Sequence, residues 1–171
     1  PLEKHSEKIY ERIHKFLLTI ERKDTKENQN GDLNVQDLKA LVVGMGRIGS
    51  GAYEELQNIF AHNEILSVEH DEKKVTVHRN SDKNVILADA NDLDFWLSIN
   101  GKNLQVIILA MPKHHSNIEA AKQINNLNLD SDIYAVARFD EEVRELKSLG
   151  VTAFNIYTEA GVGLVRQTNK T

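Results

Sequence analysis

The sequence has 171 residues, of which 40% are hydrophobic and 27% are charged, and its net charge is −5. The acidic balance and the lack of a basic stripe with interleaved aromatic residues argue against a nucleic-acid partner. There is no cysteine, which excludes disulfides, thiolate catalysis and cysteine-ligated metals. No apolar run approaches the ~20 residues of a transmembrane helix. Because the chain begins at Pro1 rather than Met, we expect it to belong to a longer protein.

The first segment, residues 1–37, is predicted to be an amphipathic connector helix followed by a linker. Apolar residues recur at helical spacing and are surrounded by charge: Ile9, Ile13, Phe16, Leu17 and Ile20. Residues 24–32 are polar and end in Asn-Gly, which is typical of a loop. The apolar stripe has three possible partners: the domain that follows, a second copy of the chain, or another part of a longer protein.

Residues 38–171 are predicted to form one α/β domain. Apolar runs predict strands near residues 39–43, 64–69, 85–88, 105–110, 132–137 and 152–155. Helical periods predict helices near residues 47–60, 71–79, 91–99, 115–126, 140–149 and 159–167. The second helix is expected to be short or irregular, because Val75 and Val77 are β-branched. Right-handed crossovers then give a Rossmann-like, doubly wound parallel sheet of strand order 3-2-1-4-5-6.

The most informative motif is the run Gly-Met-Gly-Arg-Ile-Gly at residues 44–49, between the first strand and the first helix. Gly44 permits the tight turn, Gly46 lets backbone N–H groups approach a pyrophosphate, and Gly49 lets the helix pack close to the sheet. The helix N-terminus offers unpaired N–H donors and a positive dipole end to phosphates. The motif therefore predicts a dinucleotide-type site; the alternative is a glycine turn with only a packing role.

Glu69, at the end of the second strand, indicates the ligand. A carboxylate there can accept hydrogen bonds from both ribose hydroxyls of an adenosine. A ribose 2′-phosphate at roughly 5 Å, with an effective dielectric near 20, would be repelled by about 3 kcal/mol, or a hundredfold in affinity. We therefore expect NAD(H) or AMP rather than NADP(H), and we expect Glu69→Ala to weaken binding without unfolding the domain. Asp71 is the alternative acid, but it is favoured as the cap of the next helix.

Further candidate residues follow other strands, because ligands of such sheets bind outside the carboxyl ends of the strands. Asp89 either contributes to the pocket or caps the next helix, and Arg47 either reaches a phosphate or is solvated. Arg138, at the end of an apolar strand, is expected to have an anionic partner, either a ligand or a carboxylate. The complete predicted set is Gly44, Met45, Gly46, Arg47, Ile48, Gly49, Glu69, His70, Asp89, Ala90, Ala110, Met111, Pro112 and Arg138.

Two other features are interpreted as structural. His114 and His115 begin the fourth crossover helix, where adjacent side chains point in different directions, and no further ligands stand at metal spacing, so no metal site is predicted. Phe95 and Trp96 are expected in the core. A hydride-transfer enzyme normally adds a substrate domain, and here only about sixteen residues follow the sixth strand. A sensor without catalysis is therefore favoured, and a small NAD-dependent oxidoreductase with His115 as proton donor is the alternative.

The sequence resembles the regulator-of-potassium-conductance (RCK) domains, also called TrkA-N or KTN domains. The resemblance covers roughly residues 38–165 and rests on the motifs LVVGMGRIGS at 41–50, VEHD at 68–71, LADA at 87–90, ILAMP at 108–112 and AVAR at 135–138. It is closest to the cytosolic C-terminal domains of monovalent cation:proton antiporters, including the glutathione-gated, Kef-type potassium-efflux systems.

The resemblance implies a regulatory domain without its own catalysis. Family members dimerise through their nucleotide-binding lobes, bind NAD(H) or AMP, and pass the ligand state to a membrane cation pathway. The implied partners are thus a second copy, the membrane antiporter domain of the same full-length protein and, in Kef-type systems, glutathione. The implied location is the cytoplasmic face of the cell membrane, with the connector helix leaving the last membrane span.

The resemblance also assigns roles to individual residues. The phosphate turn of the family is matched by Gly44, Gly46, Arg47 and Gly49. Glu69 takes the place of the ribose-binding acid, which is usually Asp, and Asp89 matches a Gly-Asp-Ala position at which Ala88 replaces the glycine. Arg138 matches the position near which Kef-type systems bind glutathione, whereas residues 155–163 differ from the Kef pattern.

Overall fold

A computed structural model describes residues 37–99 and 103–168 of the chain. The predicted connector helix lies outside the described residues. The strands are β1 Ala40–Val43, β2 Ile65–Glu69, β3 Val85–Leu87, β4 Val106–Leu109, β5 Asp132–Ala137 and β6 Thr152–Asn155. The helices are α1 Arg47–Leu56, α2 Glu72–Asn80, α3 Leu93–Ser98, α4 His114–Asn126, α5 Asp140–Ser148 and α6 Ile156–Thr168. The sheet has the order β3-β2-β1-β4-β5-β6, which confirms the predicted Rossmann-like topology.

The sheet is parallel and its central strands are buried on both faces. β1 lies in the middle, with Leu41 opposite Leu66 of β2 and Ile107 of β4. Alternate residues face opposite sides, so Leu41 joins the larger core cluster and Val42 the smaller one. A parallel strand covered on both faces reads as a continuous apolar run. For this reason the predicted strands agree with the observed strands to within one residue at each end.

Phe95 and Trp96 are both buried in α3, as expected. Their rings meet edge to face with centroids 4.9 Å apart. The indole N–H of Trp96 donates to the carbonyl of Ala90 at 2.7 Å, which satisfies its buried donor. This bond ties α3 to the segment that follows β3, so the aromatic pair fixes a segment that contains the predicted site residues Asp89 and Ala90.

Helix α2 corrects the expectation of a short or irregular crossover. It is a regular helix of nine residues that buries Val75 and exposes Val77. The Asp71 carboxylate accepts hydrogen bonds from the backbone N–H groups of Lys73 at 2.9 Å and Lys74 at 3.4 Å, which confirms it as the helix cap. A cap of this kind contributes about 1 kcal/mol, more than the few tenths that a β-branched residue costs.

Helix α6 begins three residues earlier than predicted. The side-chain oxygen of Asn155 accepts hydrogen bonds from the N–H groups of Tyr157 at 3.0 Å and Thr158 at 3.3 Å, so the helix starts directly after β6. No residue of α6 is buried, and Tyr157, Leu164 and Val165 are each more than 60% exposed. None of the described helices combines the length and apolar character needed to cross a bilayer.

Candidate functional site

A cleft of about 1050 Å³ opens at the carboxyl ends of the strands. The chain continues from β1 and β4 to opposite sides, which is where doubly wound sheets form a crevice. At its base, the N–H of Gly44 donates to Val68 at 2.9 Å and the N–H of Ala110 donates to Val43 at 2.8 Å. Twelve of the fourteen predicted residues line the cleft: Gly44, Gly46, Arg47, Ile48, Glu69, His70, Asp89, Ala90, Ala110, Met111, Pro112 and Arg138. Their contact with a ligand stays a prediction.

The other two predicted residues, Met45 and Gly49, shape the turn instead of lining the cleft. The Met45 side chain is only 2% exposed and packs in the smaller core cluster with Val42 and Tyr53. A Cβ on Gly49 would lie 1.8 Å from the carbonyl oxygen of Gly44. Close approach of α1 to the turn therefore requires glycine at this position.

The turn leaves the N-terminus of α1 open toward an anion. Gly44 has a φ of +92°, and a Cβ there would be 3.0 Å from the backbone of Ala110 and Met111. Gly46 is the N-cap of α1, so no side chain bonds the first N–H groups, and the first turn contains no acidic residue. Nothing lies within 4 Å of the place where a Gly46 Cβ would stand. Uncapped N–H donors with space in front of them are suited to phosphate.

Glu69 is almost fully buried, with 3% of its surface exposed, and it bonds the backbone on two sides. Its Oε2 accepts from the N–H of Met45 at 3.1 Å, and its Oε1 accepts from the N–H groups of His70 at 3.0 Å and Asp71 at 3.1 Å. The His70 imidazole Nδ1 contacts Oε1 at 2.9 Å, and the Lys74 ammonium lies 3.7 Å from Oε2. Since a carboxylate oxygen has about two acceptor positions, Oε2 is the atom with room for a ribose hydroxyl.

This arrangement also weakens the expected discrimination against a 2′-phosphate. The hundredfold value assumes a carboxylate without counter-charge, whereas Glu69 accepts three backbone N–H bonds and has Lys74 nearby. We therefore expect the preference against NADP(H) to be smaller than about a hundredfold.

Asp89 lines the cleft and does not cap the next helix. Its Oδ1 accepts from both the backbone and the side-chain amide of Asn91, each at 2.9 Å. The cap of α3 is Asp92, whose carboxylate accepts from the N–H of Asp94 at 3.0 Å. Asp89 is thus an exposed carboxylate in a local turn at the edge of the cleft.

Asn117 is a structural determinant of the site that the sequence interpretation missed. It is 1% exposed in the first turn of α4. Its Oδ1 accepts from the N–H of Met111 at 3.2 Å, and its Nδ2 donates to the carbonyl of Met111 at 3.1 Å. This pair of bonds fixes the segment after β4 that forms one wall of the cleft. The available signal was a polar residue directly before Ile118, at the start of the buried stripe of α4.

Asn117→Ala is expected to destabilise the domain by about 2–4 kcal/mol, because both polar groups of Met111 lose a buried partner. Urea unfolding measures the change. The control is Asn125→Ala on the same helix, which removes one exposed bond to the carbonyl of Leu149 and should cost at most about 1 kcal/mol. Equal losses in the two variants would contradict the role given to Asn117.

The side chain of Arg138 reaches from the end of β5 to the segment after β4, at the rim of the cleft. Its guanidinium donates to the carbonyl of Pro112. The nearby carboxylate of Glu142 accepts from the backbone N–H of Arg138 at 2.7 Å, so it serves the backbone. Arg138 and Pro112, which are 26 positions apart, are thus brought together at the rim, and the charge of Arg138 is exposed there.

The two histidines of α4 have different surroundings. His114 lines the cleft, and its Nε2 pairs with Glu145 of α5 at 2.8 Å. His115, the proton donor of the oxidoreductase alternative, is exposed and is not among the residues that line the cleft. Within the described ranges, no group of three His, Asp or Glu side chains could hold a metal ion.

Comparison with protein-family models identifies the family to which this chain belongs. The model of the TrkA-N domain matches residues 40–155, more than half of the chain. The chain belongs to the TrkA-N domain family. The resemblance described from the sequence motifs is thereby confirmed. A search of curated proteins found no match to this TrkA-N sequence.

Solved structures share the TrkA-N fold. One is the NAD(P)-binding domain of an exopolyphosphatase-related protein from Archaeoglobus fulgidus, with a TM-score of 0.71 and 15% identity over 78% of this chain and 99% of that one. Another is the TrkA-N domain of the inner membrane protein YbaL from Escherichia coli. Its TM-score is 0.66 and its identity is 22%, over 75% of this chain and 95% of that one. A third is the Kef C-terminal domain of Shewanella denitrificans in its AMP-bound form. Its TM-score is 0.62 and its identity is 19%, over 74% of this chain and 75% of that one. At these identities the likeness concerns the fold.

Proposed function

We propose that this TrkA-N domain is a regulatory module that binds an adenine nucleotide, AMP or NAD(H), and has no catalysis of its own. The observation that carries the proposal is the uncapped N-terminus of α1, which faces open space next to the buried acid Glu69. Two structural relatives support the ligand class, since one is an NAD(P)-binding domain and the other is a Kef domain in AMP-bound form.

The proposed binding mode follows from the donors and acceptors at the base of the cleft. A phosphate accepts hydrogen bonds from the first N–H groups of α1, between Gly46 and Gly49, with Arg47 nearby. Each such charge-assisted bond contributes about 1.5–3 kcal/mol. A ribose hydroxyl donates to Oε2 of Glu69, because Oε1 already accepts two backbone N–H bonds and contacts the His70 ring. The adenosine then lies between Asp89 and the segment after β4.

We further propose that the nucleotide regulates cation transport by a monovalent cation:proton antiporter or potassium-efflux protein at the cytoplasmic face of a membrane. The family match supports this, as do the relatives from an inner membrane protein and a Kef system. A ligand changes transport only if it binds one arrangement of the domain more tightly than another. A coupling free energy of about 1–3 kcal/mol between the nucleotide and the cation pathway would change the affinity for the cation about 5–150-fold.

The proposed partner is a second copy of the chain, with the membrane domain of the same protein beyond it. The exposed apolar side chains of α6, among them Tyr157 and Leu164, support such a contact because they are uncovered in the single chain. Glutathione is a further proposed ligand near Arg138, whose charge stands at the rim of the cleft.

Calorimetric titration of the nucleotide-free chain with AMP, NAD⁺, NADH and NADPH tests the ligand class. We expect AMP or NAD(H) to bind with micromolar affinity and NADPH to bind more weakly, because its 2′-phosphate meets Glu69. If none of the four binds, the glycine turn has only a packing role and the proposed function is wrong. Cation-dependent proton flux in vesicles containing the full-length transporter, with and without the bound nucleotide, tests regulation; an unchanged flux would contradict it.

A further inference from the structure

We infer that His78 is a positioning residue for the phosphate turn, although it does not line the nucleotide cleft. This inference rests on the proposed function, since it concerns how the chain holds the phosphate-binding donors in place. His78 is on α2, on the outer side of the turn, where it borders a separate groove with Met45, Gly46 and Ser50. Nothing in the sequence motif of the turn points to this histidine, which is 33 positions away from Met45.

The contacts hold Met45 at both ends of its backbone. The Nε2 of His78 donates to the carbonyl oxygen of Met45 at 2.9 Å, and the Ser50 hydroxyl lies 3.4 Å from the same oxygen. The N–H of Met45 donates to Glu69 at 3.1 Å, and its side chain is packed in the core. One residue of the turn is therefore tied to β2, to α2 and to the smaller core cluster.

The consequence for a ligand follows from the geometry of the peptide bond. The carbonyl of Met45 and the N–H of Gly46 belong to one planar trans peptide, so they point in opposite directions. Because His78 draws the carbonyl outward toward α2, the N–H of Gly46 points away from α2. Gly46 has no side chain to restrict rotation of this peptide, and glycine has the largest conformational freedom of any residue. The hydrogen bond from His78 is thus the shorter of the two contacts that hold this carbonyl in the orientation suited to phosphate, the other coming from the Ser50 hydroxyl.

The hydrogen bond requires a proton on Nε2, because a carbonyl oxygen only accepts. The neutral Nε2–H tautomer and the imidazolium both meet this requirement, so the contact persists in either charge state. A glutamine amide, which can place a donor near the position of Nε2, is the conservative replacement. Leucine has similar bulk to the aliphatic part of the ring and lacks a donor.

The matched control is Arg79, the next residue on α2. Its Nε donates to the carbonyl of Val85 at 2.8 Å, so it also ties α2 to the backbone of another element, but away from the turn. His78→Leu and Arg79→Leu each remove one half-buried bond between a side chain and a carbonyl. A purely structural role for His78 would make the two variants alike in ligand binding.

The experiment compares affinity for AMP with affinity for adenosine in the 171-residue chain. In His78→Leu we expect AMP affinity to fall about tenfold, the effect of losing one charge-assisted bond, while adenosine affinity stays within about twofold. His78→Gln should recover most of the loss, and Arg79→Leu should lose neither ligand. Equal AMP affinities in the Leu variants, or a parallel loss of adenosine binding in His78→Leu, would overturn the inference.

A second readout does not depend on nucleotide. Amide hydrogen exchange of Met45, whose N–H is bonded to Glu69, should be about tenfold faster in the free His78→Leu chain and unchanged in Arg79→Leu, because only the first variant loosens the turn. Unchanged exchange in His78→Leu would overturn the positioning role. If AMP does not bind the unaltered chain, the proposed function fails, and this exchange measurement still decides whether His78 orders the turn.

Discussion

Gly49→Ala is expected to be among the most damaging single substitutions in this domain, with a loss of about 3 kcal/mol or more in the free energy of unfolding. The new Cβ would lie 1.8 Å from the carbonyl oxygen of Gly44 and 3.0 Å from its carbon. Both are backbone atoms, and Gly44 is itself held by its bond to Val68 and by the nearby backbone of Ala110. The turn can accept the methyl group only if α1 moves away from the sheet, which breaks core packing.

Gly51→Ala is the control, because it adds the same methyl group one half-turn further along α1. Nothing lies within 4 Å of the added Cβ, and glycine is a poor helix former. This variant should be unchanged or more stable by up to about 1 kcal/mol. Urea unfolding of the two variants measures the difference. Similar stabilities would mean that α1 does not pack on the turn in the way described here.

Glu69→Ala is expected to lower both nucleotide affinity and stability. Three backbone N–H groups lose a charged acceptor, for which we expect a loss of about 3 kcal/mol in the free energy of unfolding. Loss of the ribose contact should weaken AMP binding by about tenfold or more. The sequence alone predicts weaker binding without unfolding of the domain; because Glu69 also bonds the backbone of Met45, His70 and Asp71, we expect a loss of stability in addition.

Calorimetry and urea unfolding of the same protein separate the two effects, with Glu72→Ala as the control. Glu72 is an exposed acid three positions further on. Glu72→Ala removes the same charge and should lower the free energy of unfolding by at most about 1 kcal/mol. Glu69→Gln keeps one acceptor oxygen, so its stability and AMP affinity should lie between those of Glu69→Ala and Glu72→Ala. Unchanged AMP affinity in Glu69→Ala would exclude the ribose role, and unchanged stability would exclude the structural one.

Local sequence patterns were sufficient for the architecture. The central strands, which are covered on both faces, are short apolar runs, and the glycines at 44, 46 and 49 identify the turn by their spacing alone. Twelve of the fourteen predicted residues line the cleft because the carboxyl ends of parallel strands meet at one edge. The prediction depended on topology, which places residues without specifying what each side chain contacts.

The remaining features depend on contacts between distant residues. Met45 is one of two apolar residues in the turn, and only the packed structure shows that its side chain is buried whereas that of Ile48 is exposed. The bond from Asn117 to Met111 spans six positions, and the bond from His78 to Met45 spans 33. The regularity of α2 was underestimated because the capping energy of Asp71 exceeds the propensity penalty of two valines.

The most direct test of the account is an AMP titration of the ¹⁵N-labelled chain followed by amide NMR. We expect the largest shifts at the glycine turn and the start of α1, residues 44–49, with further shifts at Glu69, His70, Asp89, Ala110 and Met111. The amide signals of α5 and of the C-terminal half of α6 should shift little, apart from Glu142, which lines the cleft. Saturable shifts confined to that set would establish phosphate binding at α1 and ribose binding at Glu69. An absence of shifts at the turn, or shifts centred elsewhere on the domain, would contradict the account.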